Sequence, residues 1–474
     1  MGEVLRPDIC VIGAGSGGLT MAAGASQMGA ETVLVERSLM GGDCLNYGCV
    51  PSKALLAAAR AASEVRRAPR FGVDAGAPEI DFARVHASVQ GVIARIAPQD
   101  SVERFTGLGV RVIQDHARFT GPRELVAGEC TIRARRFVVA TGAAPLVPPI
   151  PGIEDVPYHT NETIFGETAL PGHLLILGGG PIGVELGQAF ARLGARVTIL
   201  EAARILPRDD QELVEVVRNR LRADGVAIHE GARVEAVERR AGGLAARVGG
   251  DGPKAWHEGT HLLVALGRGP VTDDLGLEAA GVIHGPGGIT IDCRQRTTNK
   301  RIYAIGDVAE GYRFTHTASH GATVVLRHAL FRLPAKAESR AVPWVTYTEP
   351  ELAHVGLAED AARAAHGDIR VLRWPFAEND RAWTDGVTDG LIKAVTTKSG
   401  RILGTTIVGH NAGELIQPWV LAIGGGLRIG AIAKMIAPYP TLGEVSKRAA
   451  GTFYMPKLFS ERTKKLVRLL ARLG

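Results

Sequence analysis

The 474-residue sequence predicts an α/β protein in which two parallel-sheet units, each opened by a glycine-rich turn, precede a C-terminal α+β domain. Three observations support this prediction. A pattern of strand, glycine-rich turn, helix and second strand occurs twice along the chain. Glycine is abundant, with 60 residues, and gathers in short loops after apolar runs. From about Pro343 these turns become rare, and alternating β-branched segments are mixed with helical ones, which indicates a domain of another type.

The first copy of the pattern lies near the amino terminus. Residues 8–13, DICVIG, are typical of a buried strand; a helical stretch follows, and a second strand, TVLVE, ends at Glu36. The turn before the helix has the form G-x-G-x-x-G, made by Gly13, Gly15 and Gly18. These glycines allow a tight bend, close approach of a pyrophosphate and close helix packing, while the helix N-terminus binds phosphate. The copy therefore predicts a dinucleotide site, with Glu36 on a ribose hydroxyl.

The second copy repeats every part of the first. Its first strand ends at Leu177, and its next strand, RVTILE, ends at Glu201. The glycines of its turn are Gly178, Gly180 and Gly183. In both copies the first glycine precedes the acidic residue by 23 positions. A lone glycine motif is a weak signal, but two complete copies are not, so we expect the protein to bind two dinucleotides.

Glu201 also bears on the choice of nicotinamide nucleotide. A carboxylate at this position bonds a free 2′-hydroxyl and repels a 2′-phosphate. Arg204 follows three residues later and softens that repulsion. The sequence therefore favours NADH over NADPH.

Three more segments read as a strand followed by a turn: RFVVATGAAP at 136–145, HLLVALGRGP at 261–270 and IYAIGD at 302–307. Proline and glycine pairs at 148–152 indicate a boundary between the two units.

The five cysteines are too few for a structural disulfide framework, and only Cys44 and Cys49 lie close together. Five residues of regular helix rise about 7.5 Å, which exceeds the roughly 6.8 Å limit for bridged Cα atoms. A disulfide here requires an irregular segment, which Gly48 and the Gly41–Gly42 pair permit. The alternatives are two free cysteines, or a zinc site that lacks two further ligands nearby. The adjacent dinucleotide turn favours a redox-active pair.

Composition excludes other classes of protein. The net charge is +6 and the pI about 9.1, but the cations are interspersed and no stacking aromatics accompany them, so we expect no nucleic-acid partner. No apolar stretch reaches the roughly 18 residues of a membrane span, and the amino terminus lacks the regions of a signal peptide. We expect a cytoplasmic protein without a metal site.

With these motifs the sequence resembles the class I pyridine nucleotide-disulfide oxidoreductases, which include dihydrolipoamide dehydrogenase, glutathione reductase and mercuric reductase. The segment GGDCLNYGCVPSK at 41–53 is highly specific to that family. The resemblance implies FAD and NAD(P)H as cofactors and a homodimer. It implies an FAD-binding domain at 1–148 and 271–338, an NAD(P)-binding domain at 149–270 and a dimerisation domain at 339–474.

The resemblance also implies roles for individual residues. Cys49 would face the flavin, and Cys44 would exchange with substrate. Lys53 would lie by the flavin, paired with Glu185, because a cation there stabilises reduced flavin. The first glycine turn and Glu36 would bind the ADP part of FAD, and Asp307 its ribitol chain. The other residues assigned to cofactor binding are Gly42, Ala117, Thr141, Gly142 and Gly267.

One segment departs from the family pattern. Disulfide reductases carry a histidine acid/base in H-P-x-x-x-E near the C-terminus; here Glu444 is kept but Tyr439 takes the place of the histidine. A phenol with a pKa near 10 is a poor proton shuttle at neutral pH, so we expect an acceptor other than lipoamide or glutathione disulfide. Mercuric reductases carry a tyrosine in a similar segment, but they also have a C-terminal pair of adjacent cysteines that delivers the metal ion. This chain has no cysteine after Cys293. The open functions are therefore a reductase for an unidentified thiol-reactive acceptor, a metal-ion reductase, and a flavin-based redox sensor or membrane-surface adaptor.

The chain ends in a basic amphipathic segment. Leucines recur at helical spacing, at Leu466, Leu469, Leu470 and Leu473. Cations surround that stripe, at Arg462, Lys464, Lys465, Arg468 and Arg472. The pattern predicts a terminal helix that docks on its own dimer or, alternatively, on a membrane surface or a partner.

Overall fold

The structure, a computed structural model, describes residues 2–249 and 255–472. These residues form two compact units. The first runs up to Ala203 and resumes from Val226 to Ala337; the second joins Arg204–Gly225 to the chain from Glu338 onward. The predicted α/β class, with two parallel sheets and a C-terminal α+β unit, is confirmed. The limits expected for the three domains remain predictions.

The first glycine-rich copy belongs to a five-stranded parallel sheet. In spatial order its strands are Ile302–Ala304, Arg136–Val139, Ile9–Ile12, Thr32–Val35 and Val110–Ile113. The central strand is apolar throughout because both of its faces are covered. Ile9 and Val11 pack in the core that includes helices Ser16–Gln27 and Thr315–Ala329, whereas Cys10 and Ile12 belong to a second core.

That second core is closed by a small four-stranded sheet, with the order Val4–Leu5, Cys130–Ile132, Glu124–Ala127 and Ala117–Gly121. The alternate residues Phe119 and Leu125 point into the core and are buried. Two short pairs complete this part of the unit: Ala143–Pro145 with Arg268–Pro270, and His284–Gly285 with Gly288–Ile289.

The second glycine-rich copy belongs to a four-stranded parallel sheet. Its strands, in order, are Val226–Glu230, Arg196–Glu201, His173–Leu177 and His261–Val264. Helix Pro181–Arg192 lies on one face, where Gly187 allows its backbone to approach Ile176 and Ile199. A three-stranded antiparallel sheet closes the other face, with strands Arg233–Arg240, Gly243–Gly249 and Ala255–Gly259.

In the described part of the first unit, the remaining α-helices lie in the stretch that follows the first copy. They are Gly42–Asn46, Cys49–Arg67, Phe82–Ile96 and Val102–Gly107.

The second unit has a five-stranded antiparallel sheet, with the order Pro343–Thr346, Glu351–Gly356, Ile402–Gly409, Leu391–Thr397 and Ile369–Pro375. Its core contains the buried rings of Phe376 and Trp419. The helices around it are Gln211–Ala223, Glu359–His366, Asp380–Thr384, Ala412–Leu415, Gln417–Gly424, Ile429–Ala433, Glu444–Thr452, Met455–Leu458 and Glu461–Leu470. The predicted terminal helix is thus present, and Leu473 lies outside the described residues.

Candidate active site

The two glycine turns have the same geometry. Gly13 and Gly178 begin them with φ of +104° and +106°, a conformation that side chains disfavour. A Cβ on Gly18 would collide with the carbonyl oxygen of Gly13, and one on Gly183 with that of Gly178, so the third glycines bring helix and strand together. Around the middle glycines, Gly15 and Gly180, a Cβ would meet nothing within 4 Å. Each turn therefore keeps free space at the point where a pyrophosphate approaches the backbone.

The acidic residues that end the second strands also match. The Glu36 carboxylate accepts hydrogen bonds from the amides of Ala14, at 2.5 Å, and Ser38, at 2.7 Å. The Glu201 carboxylate accepts from the amides of Gly179 and Ala203, both at 2.7 Å. An ionised carboxylate has about four acceptor positions, so each glutamate is held in place by its turn and retains capacity for a ribose hydroxyl.

The cysteine segment is irregular, as the sequence predicts. Helix Gly42–Asn46 ends before Cys49, where the next helix begins, and Gly48 between them adopts φ −119° and ψ −111°. Gly42 lies so close to the first turn that a Cβ on it would come within 2.7 Å of the Gly15 Cα. The segment is thus packed directly against the dinucleotide turn.

Asp43 anchors this segment to two distant parts of the unit. Its Oδ1 lies 3.1 Å from the Arg268 guanidinium and accepts a hydrogen bond from Asn161 Nδ2 at 3.1 Å. None of these three residues was among those predicted from the sequence. Arg268 follows a recognised turn, but nothing in the sequence pairs it with a residue 225 positions earlier.

Cys44 and Cys49 are both free thiols joined by a hydrogen bond. That bond is the main cause lowering the pKa of Cys49 to about 6, and Thr315, whose Oγ1 lies 3.6 Å from the sulfur, and the Lys53 charge lower it further. The same hydrogen bond, together with burial, raises the pKa of Cys44. These effects favour the thiolate form of Cys49 over that of Cys44. Thr315 was also missed, because a lone threonine at a helix start gives no distinctive signal.

Lys53 and Glu185 come together, as the family resemblance implies. Their Nζ and Oε2 atoms are 2.8 Å apart. The Glu185 side chain is buried and the Lys53 side chain is about one third exposed, at 36%. Because a buried carboxylate is costly without a counter-ion, Glu185 fixes the ammonium group one helical turn after Cys49.

Of the other residues assigned to FAD, Thr141, Gly142 and Asp307 follow strands of the first sheet, and Gly267 follows a strand of the second. Asp307 follows strand Ile302–Ala304, and burial raises its pKa above the usual range. Thr141 Oγ1 donates to the Val271 carbonyl at 2.7 Å. Gly142 and Gly267 adopt φ of +75° and +120°, and a Cβ on either would meet nothing within 4 Å. Ala117, in contrast, is a buried core residue of the small sheet, where its side chain packs between strands.

A cavity of about 410 Å³ lies beside Cys44. Its walls come from the helix of the first turn, the cysteine segment, the stretch from Ile96 to Phe105 and the helix that carries Ser319. The open space at Gly15, the fixed carboxylate of Glu36 and this adjoining cavity fit a bound dinucleotide such as FAD. Among residues 2–249 and 255–472, no group of three His, Cys, Asp or Glu side chains is arranged to hold a metal ion.

In the second unit, Tyr439 lies on the surface, 70% exposed, and its Oη donates to Asp380 Oδ2 at 3.0 Å. This hydrogen bond, and to a lesser extent the charge of Glu444, raises the pKa of Tyr439. The Asn379 side chain donates to the Thr441 carbonyl at 3.1 Å and so fixes Asp380 beside the tyrosine segment. Tyr439 is therefore a neutral phenol at physiological pH, and Glu444 begins the following helix.

Comparison with known proteins identifies the family. Residues 7–322 match the family model described as pyridine nucleotide-disulphide oxidoreductase. Residues 342–450 match the dimerisation domain of the same family. The chain belongs to this family. It is thus an FAD-dependent, pyridine nucleotide-using oxidoreductase of the flavoprotein disulfide reductase type, and its second unit carries the domain through which members form homodimers.

Similar proteins of known identity cover nearly the full chain. It is 36% identical to a mercuric reductase of Streptomyces lividans, over 94% of this chain and 96% of the relative. It is 37% identical to a dihydrolipoyl dehydrogenase of Thermus scotoductus, with the same two coverages. Among solved structures, the HOCl-induced flavoprotein disulfide reductase RclA of Escherichia coli superposes with a TM-score of 0.83 at 30% identity, over 94% of this chain and 99% of the other. LpdA of Mycobacterium tuberculosis gives 0.85 at 27% identity, with the same coverages.

In the part of the chain that the structure describes, no helix has both the length and the apolar character needed to cross a bilayer.

Proposed function

We propose that this protein uses electrons from NADH to reduce a Cys44–Cys49 disulfide and passes them from that pair to a thiol-reactive acceptor other than lipoamide. Bound FAD would supply the two-electron relay between the nicotinamide and the cysteine pair. The observation that carries the proposal is the arrangement around the cysteine pair: Cys49 lies 3.6 Å from Thr315 Oγ1 and starts the helix in which Lys53 pairs with the buried Glu185 carboxylate at 2.8 Å.

The family resemblance gives the two sulfurs different parts of the exchange, with Cys44 meeting the acceptor and Cys49 facing the flavin. Cys44 would lose its proton and attack one sulfur of an acceptor disulfide, so that a mixed disulfide forms and one acceptor thiolate leaves. The Cys49 thiolate would then attack the Cys44 sulfur, which releases the second acceptor thiolate and restores the Cys44–Cys49 disulfide. Cys49 has less need of a base, because its neighbours favour the thiolate. Cys44 does need one.

Tyr439 supports the choice of an unusual acceptor. By family resemblance it stands where the disulfide reductases have their histidine, and Glu444 is retained after it. Its pKa is raised by Asp380, so it neither takes a proton from Cys44 nor gives one to a leaving thiolate readily at neutral pH. We therefore expect weak turnover with lipoamide and glutathione disulfide, while reduction of the protein by NADH stays fast.

We further propose that NADH is the better donor, because Glu201 is held at the second turn with capacity for a 2′-hydroxyl. The homodimer would complete the site in each subunit, and the cytoplasm remains the compartment that the sequence favours.

Tyr439→His tests the proposal. A histidine restores an acid/base group, and such groups contribute about 10²–10⁴-fold, so kcat/KM for lipoamide should rise by at least tenfold. Tyr439→Phe is the matched control: it removes the phenol hydroxyl without adding a base and should give no gain. Reduction of the bound flavin by NADH, followed in a stopped-flow instrument, should be equal in all three proteins. Strong wild-type lipoamide turnover that Tyr439→His leaves unchanged would refute the proposal.

Metal-ion reduction is the second candidate. Mercuric reductases are among the similar proteins, and one RclA structure is described as a Cu(II) complex. The specific observation in its favour is Tyr439, since mercuric reductases carry a tyrosine in a similar segment. Against this candidate, the sequence has no cysteine after Cys293 and so lacks the C-terminal cysteine pair of the mercuric reductases. NADH oxidation that depends on added Hg(II) or Cu(II), and is lost in Cys44→Ser, would favour this candidate. Failure to turn over any acceptor, including an artificial dye, would favour a redox sensor or adaptor.

A further inference from the structure

The last described helix, Glu461–Leu470, has no buried residue. The Ser460 hydroxyl caps it by accepting from the Thr463 amide at 3.3 Å. Its large apolar side chains are each more than half exposed, and the two that precede it, Leu458 and Phe459, are 57% and 69% exposed. The helix therefore presents an apolar surface that the described subunit does not cover.

Its two faces are chemically distinct. At about 100° per residue, Leu466, Val467, Leu469 and Leu470 fall within one half of the helix circumference. Lys464, Lys465 and Arg468 fall on the other half, and the position of Arg472 continues that side. Arg462 alone lies among the leucines, at the first turn, where a long side chain can extend its charge toward water. This is the distribution found in helices that lie flat at a bilayer surface.

Two observations indicate what covers the apolar face. The match to the family's dimerisation domain ends at residue 450, so the helix lies beyond the part that this domain explains. Between Met455 and Arg472 there are six cations and one carboxylate, Glu461. If the helix met its own copy across a two-fold axis, like cations would be brought together. An anionic lipid surface complements them.

We propose that residues 455–472 dock on an anionic bilayer, with the leucine face in the headgroup region and the cations against the lipid phosphates. The membrane contact would hold the enzyme at the surface without crossing it. This inference does not rest on the identity of the electron acceptor.

Vesicle co-sedimentation of the full-length, FAD-loaded protein tests the proposal. Vesicles of phosphatidylcholine containing about one third phosphatidylglycerol should bind the protein at least tenfold better than phosphatidylcholine alone, and about 0.5 M NaCl should weaken the binding. Lys464→Gln/Arg468→Gln should lower the partition coefficient by about fivefold for each cation removed. The matched control is Arg84→Gln/Arg95→Gln, which removes two exposed cations from another helix and should change it little.

The double variant Leu466→Ser/Leu470→Ser tests whether the leucine face contacts lipid or a second copy of the chain. If the face lies on lipid, this variant loses vesicle binding and keeps the molar mass of the wild type in light scattering. Equal binding of the wild type to both kinds of vesicle would overturn the proposal. So would equal partition coefficients for Lys464→Gln/Arg468→Gln and Arg84→Gln/Arg95→Gln. Dissociation of a dimer by the leucine substitutions, without selective binding of the wild type to phosphatidylglycerol, would assign the face to a second copy instead.

Discussion

Cys44 and Cys49 differ in acidity because their neighbours differ. Cys49 accepts a hydrogen bond from Cys44, lies near the Thr315 hydroxyl and is close to the Lys53 ammonium group. Each of these groups stabilises the thiolate more than the thiol. The same hydrogen bond raises the pKa of Cys44. These neighbours therefore favour negative charge on Cys49 rather than on Cys44.

Removing these neighbours should raise the pKa of Cys49. In the reduced, FAD-loaded protein, the rate of Cys49 alkylation by iodoacetamide should fall as the pH drops through about 6, because only the thiolate reacts. Cys44→Ala should move this midpoint upward most, since the Cys44 hydrogen bond is the largest cause, and Thr315→Val should move it less. Peptide mass spectrometry can measure the labelling at Cys49 alone. Thr323→Val, on the same helix as Thr315, is the control; an identical midpoint in all variants would show that these hydrogen bonds do not set the acidity.

The sequence predicted this site only in part, for a physical reason. Cys44, Cys49 and Lys53 lie within ten residues, so their spacing is visible in one segment. Thr315, Asn161 and Arg268 reach the same segment from far along the chain, and only the folded sheets bring them there. Short polar residues at strand ends are too common for their pairing to be inferred from one sequence.

At the scale of elements, the duplicated turn was the most predictable feature. The expected strands and helices of both copies are present, and equivalent carboxylate-to-amide hydrogen bonds differ by only 0.2 Å, at 2.5 and 2.7 Å. Apolar periodicity and glycine spacing determine such a unit locally. The segment from Arg204 to Gly225 was less predictable: it follows the second copy in sequence, but it groups with the C-terminal unit.

The second turn should select the nicotinamide nucleotide through charge. Glu201→Gln keeps an oxygen acceptor for the Gly179 amide and removes the negative charge that repels a 2′-phosphate. The wild type should show a higher kcat/KM with NADH than with NADPH, measured with an artificial electron acceptor, and Glu201→Gln should narrow that ratio. Glu36→Gln, at the equivalent position of the first turn, should leave the ratio unchanged and weaken FAD retention instead. A wild-type preference of tenfold for NADPH, about 1.4 kcal/mol, would contradict the assignment.

At the scale of the whole molecule, the second unit is assembled from two separate stretches of chain, and a buried lysine joins them. Lys393, on a central strand of the antiparallel sheet, is only 6% exposed. Its Nζ lies 2.6 Å from Asp210, 2.9 Å from Glu212 and 2.8 Å from Glu359. Trp344 Nε1 also donates to Asp209 at 2.8 Å. The helix Gln211–Ala223 is therefore held to this sheet by charge as well as by packing.

Lys393→Met should destabilise this unit, because it leaves three carboxylates close together without their shared cation. Breaking a buried ion pair costs about 3–5 kcal/mol, so the thermal midpoint measured by calorimetry should fall by several degrees. The pH dependence should change as well. Hydrogen bonds from Arg373 and Lys393 lower the pKa of Glu212 to about 2, and Lys393 also lowers that of Glu359. In the wild type these carboxylates therefore stabilise the fold above their unfolded pKa of 4.5, and that contribution is lost as the pH falls toward 2.

Lys398→Met is the matched control, because it shows whether substituting a nearby exposed lysine lowers the thermal midpoint as well. Lys398 directly follows the strand that carries Lys393, but its side chain is 69% exposed and pairs with an exposed carboxylate, Asp368. Exposed pairs contribute about 0–1 kcal/mol, so this variant should melt close to the wild type. In Lys393→Met, Glu212 keeps its pairing with Arg373, but Glu359 loses the largest cause of its lowered pKa. The variant should therefore lose less stability than the wild type between pH 4.5 and 2. Equal midpoints for the two variants, or parallel acid profiles for Lys393→Met and the wild type, would show that packing alone joins the two stretches.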